Sequence, residues 1–367
     1  MLLRKILPSI FPLALYSFAS YSQDSISFPK KSEQSVELIG DVFINSNTIT
    51  NKFIWSFYQG GYISNQRKEN VTKQLLPSNV LGAAAKTGFT YSYNLLEGNN
   101  KPVFSFSFFD RQHLDVKFSN DLFYTIFYGN KIFEGQTAQL GNFRLNLLRY
   151  QQFRFGWKWK GDVTHGSYGV AFSLLNGEQN IFVKASRADL YTSTNGTYLD
   201  FALAMQVQKS DPALKKFFAQ NGMGASMDLF YELPYRIGKR YGKFAVEVND
   251  LGIIQWKSSS MSYSVDSSYH YDGINVNDIF NSHGAFPSLN TDTIIKKHTS
   301  FERKQYITNL PFTLHIHTQA WHGKHVLFEK GISFLFYSSA KPYYYTKTHY
   351  YNKKQNIGFA CTVGYGA

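Results

Sequence analysis

Residues 143–160, FRLNLLRYQQFRFGWKWK, and residues 167–175, SYGVAFSLL, which follow after a short polar break, decide the fold. In the first run Phe143, Leu145, Leu147, Phe153, Phe155, Trp157 and Trp159 occupy odd positions. Arg144, Asn146, Gln152, Arg154, Gly156, Lys158 and Lys160 stand between them. Side chains alternate along a strand, so this spacing makes one apolar-aromatic face and one cationic face. The second run repeats the rule, setting Tyr168, Val170, Phe172 and Leu174 against Ser167, Gly169, Ala171 and Ser173. Strands of globular sheets average roughly 5–6 residues, and the first run is about three times that. A long two-faced strand with Trp and Phe toward one end predicts a membrane-spanning barrel strand.

The composition agrees. The 367 residues are 43% hydrophobic and 17% aromatic, with 26 Tyr and 33 Phe. Such an aromatic load excludes a disordered chain. No internal run approaches the roughly 20 apolar residues of a spanning helix, whereas aromatics suit pleated surfaces and membrane interfaces. The net charge of +13 raises nucleic acid as a partner. Lys and Arg, however, are scattered through alternating strands, with no basic block or recognition motif, so nucleic acid is not expected. Cys361 is the single cysteine, which leaves neither an internal disulfide nor a cysteine metal spacing.

Residues 1–22 read as a secretory signal peptide. Arg4 and Lys5 precede the apolar stretch Ile6–Phe18, and Ser20-Tyr21-Ser22 puts small residues at −3 and −1 of a cleavage before Gln23. Export combined with strand alternation predicts the bacterial outer membrane, because only helices and closed barrels span lipid. Residues 23–367 are then one barrel domain.

Further strands follow the same alternation at 36–44, 87–95, 103–108, 181–192, 197–207, 222–233, 242–256, 312–321, 326–337, 343–351 and 357–365. Asn195-Gly196 between two alternating runs is a hairpin signal. Residues 51–66, NKFIWSFYQGGYISNQ, are aromatic with a bend expected at Gly60-Gly61. Two segments carry helix grammar: DLFYTIFY after Asn120, stopped by Gly129, and PALKKFFAQN after Ser210-Asp211, stopped by Gly222. Alternation fades over 272–298, the longest expected loop. The expectation is an all-β fold: a single transmembrane antiparallel β-barrel of about 14 strands, within a range of roughly 12–16, with two short helices inside it or at its rim.

Two sets of residues are candidates for a site. Arg144, Arg154, Lys158 and Lys160 share the polar face of the opening strand. Facing inward they would attract anionic solutes, at the outer rim they would meet lipopolysaccharide phosphates, and a third reading pairs them with Asp200, Asp228 or Glu247 on other strands. His315 and His317 lie two apart, so both imidazoles share a face and form a potential metal pair. A third ligand would come from His322 or His325; the alternative is a polar lumen lining. There is no Gly-x-Ser-x-Gly elbow, and no compact catalytic cluster that would make the chain an enzyme. No cofactor is expected.

Several pieces together, NKFIWSFYQGGYI, DLFYTIFYGN, GVAFSLLNGEQN, GMGASMDLFYEL and VEVNDLGIIQW, resemble a family of uncharacterised Bacteroidota outer-membrane proteins with a domain of unknown function, similar to the FadL- and PorV-like barrels. The strand Val248-Asn249-Asp250-Leu251-Gly252 followed by Trp256, after Gly222-x-Gly224-x-x-x-Asp228, carries most of the likeness. The resemblance implies a barrel in the outer membrane and no catalytic residues. Two functions are expected: passing or binding small, in part hydrophobic, molecules, or docking as an accessory component of a secretion or surface complex. For the second, the aromatic segment 263–283 is the candidate contact with an outer-membrane protein partner. Membrane lipid and lipopolysaccharide are partners in either case.

Overall fold

A computed structural model describes residues 34–60, 62–94, 102–159, 161, 166–214, 216–237, 240–272, 302–323, 325–337, 341–352 and 358–366. The signal-peptide segment and most of 272–298 lie outside the described residues. The strands are β1 (Gln34–Ser46), β2 (Asn79–Asn94), β3 (Pro102–Phe118), β4 (Gln136–Gln139), β5 (Phe143–Trp159), β6 (Ser167–Thr192), β7 (Leu199–Lys209) and β8 (Gly222–Ile237). They continue with β9 (Arg240–Trp256), β10 (Met261–Tyr271), β11 (Glu302–Arg303), β12 (Tyr306–Asn309), β13 (Thr313–His322), β14 (Val326–Leu335), β15 (Tyr343–Tyr351) and β16 (Gly358–Gly366). All sixteen belong to one sheet. Its continuous path is β1-β2-β3-β5-β6-β8-β9-β13-β14-β15-β16, eleven strands with antiparallel neighbours throughout.

The sheet is strongly curled into a half-barrel. Phe43 of β1 and Tyr343 of β15, near its two ends, have ring centroids 4.9 Å apart. Ion pairs also cross the concave side, as Arg111 of β3 meets Asp250 of β9.

The alternation read from the sequence holds through β5. Arg154, Gly156 and Lys158 are buried on the concave face, while Phe155 opposite them is 42% exposed. The convex face continues from strand to strand in register: Tyr91↔Phe106, Phe106↔Phe155, Phe155↔Phe172 and Phe172↔Met227 are directly opposed. Phe172, Leu174, Met223 and Tyr231 on this face are all exposed. The sheet is thus polar within and apolar without.

β6 is longer than expected. Segments 167–175 and 181–192 form one 26-residue strand, because β5 pairs with it from Tyr168 to Ala185 across a single bulge at Glu178. Its other edge changes partner, pairing with β8 over Ser167–Gly177 and with β7 over Ile181–Thr192. β7 then pairs with β10, so a wing of β6, β7, β10 and β11 leaves the curled wall where β8 begins. Segment 263–271, the first part of the aromatic candidate contact, is therefore a strand whose polar side chains bond across the wing, as in Arg187–Asp266 at 2.7 Å.

Beneath the wing an apolar cluster of Leu148, Tyr150, Leu175, Ile254, Trp256, Tyr306 and Leu310 fills the end of the curl. Gly177 and Gly222 face each other under Trp256, and a Cβ on either would stand about 3.0 Å from its ring.

The helices depart from expectation in two ways. DLFYTIFY is helical, as α3 (Asn120–Tyr128), capped by Ser119, whose Oγ accepts from the Leu122 N–H at 3.2 Å. Two further helices, α1 (Asn51–Gln59) and α2 (Asn65–Thr72), occupy the aromatic stretch and the polar stretch after it. Phe53, Val71, Phe118 and Phe123 pack them onto the strand ends, so all three helices sit at the rim.

The expected helix after Asp211 does not form. Its backbone is captured by other groups: Glu178 accepts from the Phe218 N–H at 3.2 Å, and Asn221 Nδ2 donates to Leu214 O at 3.0 Å. Phe218 takes φ 64°, outside helical space, and stacks on Phe108.

Candidate functional site

The concave face carries the chemistry. A bulge opposite Asp228 interrupts the β8–β9 register, and Asp250 there adopts φ 65°. Its backbone N–H donates to Asp228 Oδ1 at 2.6 Å. Both carboxylates then meet guanidinium groups in the interior: Arg111 reaches Asp250 at 2.5 Å and Arg154 reaches Asp228 at 2.5 Å. Gln152 holds the first pair in place, donating to Asp250 Oδ1 at 2.8 Å and to Ser173 Oγ at 3.0 Å.

Further along β5, Lys158 lies 3.7 Å from Glu232 and over the Phe230 ring at 3.9 Å. On the convex face, toward the wing, Arg149 bridges Asp110 at 3.4 Å and Glu178 at 3.1 Å. On the facing strands His317 Nε2 is 3.9 Å from Glu247, and Glu329 accepts from Gln319 at 2.7 Å and from the Tyr345 hydroxyl at 3.0 Å. Buried charges are costly unless paired, and here they are paired across strands.

Three of the four basic residues of the opening strand therefore have carboxylate partners. Arg154 and Lys158 are buried, and Arg144, nearer the rim, pairs with Asp115 at 3.1 Å. Lys160 lies outside the described residues. Of the carboxylates considered as partners, Asp228 pairs with Arg154, Glu247 lies beside His317, and Asp200 is on the wing and bonds His270. His315 and His317 both face inward and are buried. His322 is exposed beside Phe328, and His325 lies against Tyr350 and the Tyr351 carbonyl. Among the described residues no three His, Cys, Asp or Glu side chains are arranged to hold a metal ion.

A cavity of about 100 Å³ lies between the two ends of the sheet. Phe43 and Tyr343 supply apolar wall, and Asp41, Lys86, Arg111 and His315 supply the polar part. Lys86 also lies over the Phe109 ring at 4.2 Å. A smaller void of about 10 Å³ touches Arg154, Asp228, Glu247 and Asn249, room for about one water.

Sequence reasoning missed Lys86, Arg111 and Asp250. Their strands are legible, but their meeting is set by the curl. The one available signal was Asn249-Asp250, two polar residues in succession on a strand that otherwise alternates.

A polar-cored, apolar-faced sheet narrows the fold but names no relative. The model of a family of unknown function, DUF5723, matches residues 38–367. The chain belongs to this family. No curated protein and no solved structure matches it. The DUF5723 match runs from β1 through β16 and takes in both the interior ion pairs and the wing.

Proposed function

We propose that this DUF5723 protein is an exported outer-membrane β-barrel, its leader cleaved near Ser22, that takes small molecules into its interior and is not an enzyme. The observation that carries this is the inversion of the sheet. Large apolar side chains, Phe155, Phe172 and Tyr231 among them, are exposed in rows on the convex face, while Arg111, Arg154, Asp228 and Asp250 are buried on the concave face. A water-soluble sheet would place them the other way. Lipid would cover the aromatic rows, and lipopolysaccharide the basic rim. The affiliation with Bacteroidota FadL- and PorV-like barrels belongs to this reading and rests on the strand pieces quoted above.

The ligand site would be the cavity of about 100 Å³, whose mixed wall of Phe43, Tyr343, Lys86 and Asp41 suits a molecule of a few heavy atoms with an apolar and a polar side. The ion pairs across the interior favour binding or gated passage over an open pore.

Membrane flotation and planar-bilayer conductance test this together. The protein is expected to float with vesicles and to show low basal conductance. A chain that stays folded and soluble without detergent overturns the membrane reading, and flotation without any solute uptake or binding overturns the ligand reading. One observation favours the alternative, a docking accessory: the wing leaves the curled wall by about ten residues of paired strand (roughly 35 Å at 3.4 Å per residue). Pull-down from solubilised membranes tests it, and recovery of this chain alone counts against it.

A further inference from the structure

We infer that the barrel closes through a parallel seam between β1 and β16, the single parallel pairing in its wall. The inference rests on the membrane reading above. Ten successive antiparallel steps separate these strands along the sheet, so β1 and β16 run in the same direction. Among the described residues no ladder joins them. In lipid an edge without a ladder would be costly, since an unpaired backbone group there costs several kcal/mol. A parallel closure is geometrically ordinary, though slightly weaker per residue than an antiparallel one.

A contact at one end of the seam already brings the edges together. Phe43 of β1 meets Tyr343 of β15 at 4.9 Å, and Tyr343 is paired with Gly366 of β16. A side chain of β15 thus reaches over β16 to β1.

The inward positions of β16 explain how. They are Gly358, Ala360, Thr362, Gly364 and Gly366, all small. The Tyr351 ring occupies the space above Gly358, where a Cβ would come within 2.8 Å of it, and the Tyr343 ring lies 3.4 Å from a Cβ position on Gly364. Larger residues there would hold the two edges apart. The outward positions Phe359 and Val363 are large and 74% and 70% exposed, as a strand facing lipid requires. The seam is also the wall beside the cavity that Asp41, Phe43 and Tyr343 line.

This contact sets the register: Gly366 beside Phe43, which places Cys361 next to Leu38 on the outer face. Disulfides need Cα atoms about 4.4–6.8 Å apart, so the chain's own cysteine is a probe. The full chain carrying L38C is expected to form an intramolecular disulfide with Cys361 under mild oxidation. Direction is read in a C361S background. V36C/F359C and G40C/V363C are expected to cross-link, while G40C/F359C and V36C/V363C, which an antiparallel seam would join, are not.

Cross-linking of the second set instead, disulfides only between copies, or none in a protein that keeps its heat-modifiable gel mobility would each overturn the seam. Vesicle flotation of the same samples reads the membrane location separately. In the unsubstituted chain, amide exchange across β16 is expected to be as slow as in β14, and fast exchange along its free edge overturns the proposal without any variant.

Discussion

Replacing Arg111 by methionine tests whether the interior is dry. Arg111 and Asp250 are 8% and 3% exposed, and their contact is 2.5 Å. Two unit charges about 4 Å apart attract by roughly 4 kcal/mol at an effective dielectric of 20. Orphaning one member of a buried pair typically costs about 3–5 kcal/mol. Asp250 keeps the 2.8 Å bond from Gln152 and has Arg154 nearby, so the lower end, about 3 kcal/mol, is expected for R111M. D250N should cost a similar amount, because it leaves the guanidinium buried. The double variant R111M/D250N should cost less than the two singles added, since neither charge remains. Urea unfolding in vesicles, followed by tryptophan fluorescence, reads all three. A cost for R111M below about 1 kcal/mol, the level of an exposed pair, together with an additive double variant, would mean that water fills the interior, and the argument for a packed lumen would fail.

Other outcomes follow from the same structure. Phe172→Arg places a charge on the convex face, where a position near the bilayer midplane should cost about 2–4 kcal/mol; unchanged or improved stability in vesicles would put that face in water. Gly177→Val forces a branched side chain against Trp256 and should destabilise by about 1–3 kcal/mol through overpacking, whereas the same change at the open Gly40 should have little effect on urea midpoints. On the wing, hydrogen bonds that the His270 ring donates to Asp200 and then to Asp272 hold its pKa above its ordinary value. That stabilisation is complete below the unfolded-state value of about 6.5 and is lost as pH rises through the higher folded value. Amide exchange in β7 and β10 should therefore quicken with that titration beyond its intrinsic pH dependence, and H270N should remove the excess.

Period-two alternation made the strands readable because it records only which face each residue takes. It placed Phe155 outside and Arg154 inside, and it located β8, β9 and β13–β16 to within a few residues. Contacts across the concave side were not readable, because Arg111 and Asp250 are distant in sequence and only the curl joins them. Helix grammar failed at Pro212–Asn221, where caps at both ends were correct but Glu178, a side chain on β6, took the backbone N–H of Phe218. It was also under-used at Thr50, whose hydroxyl caps α1 by accepting from the Phe53 N–H at 3.3 Å. The polar run in β10 hid a strand because its hydrogen-bonding side chains meet partners on β7 and β6 and bury few apolar groups.

The continuity of β6 bears on how such a protein is assembled. Its second half and β7 form a local hairpin around Asn195-Gly196, both with positive φ, and a hairpin of this kind closes within about 1–10 μs. That hairpin needs no lipid. Its alignment is pinned by the bulge between Ala185 and Arg187, and the same strand continues, past a bulge at Glu178, into the half that carries Leu174 and Phe172. On the membrane reading proposed above, a pairing chosen in water would dictate which side chains enter the bilayer facing outward, since a slip of one residue would turn Phe172 inward and Ser173 toward the acyl chains. The wing would then act as a jig for insertion, and deleting 194–197 should lower the yield of inserted protein while leaving the stability of the molecules that do insert nearly unchanged.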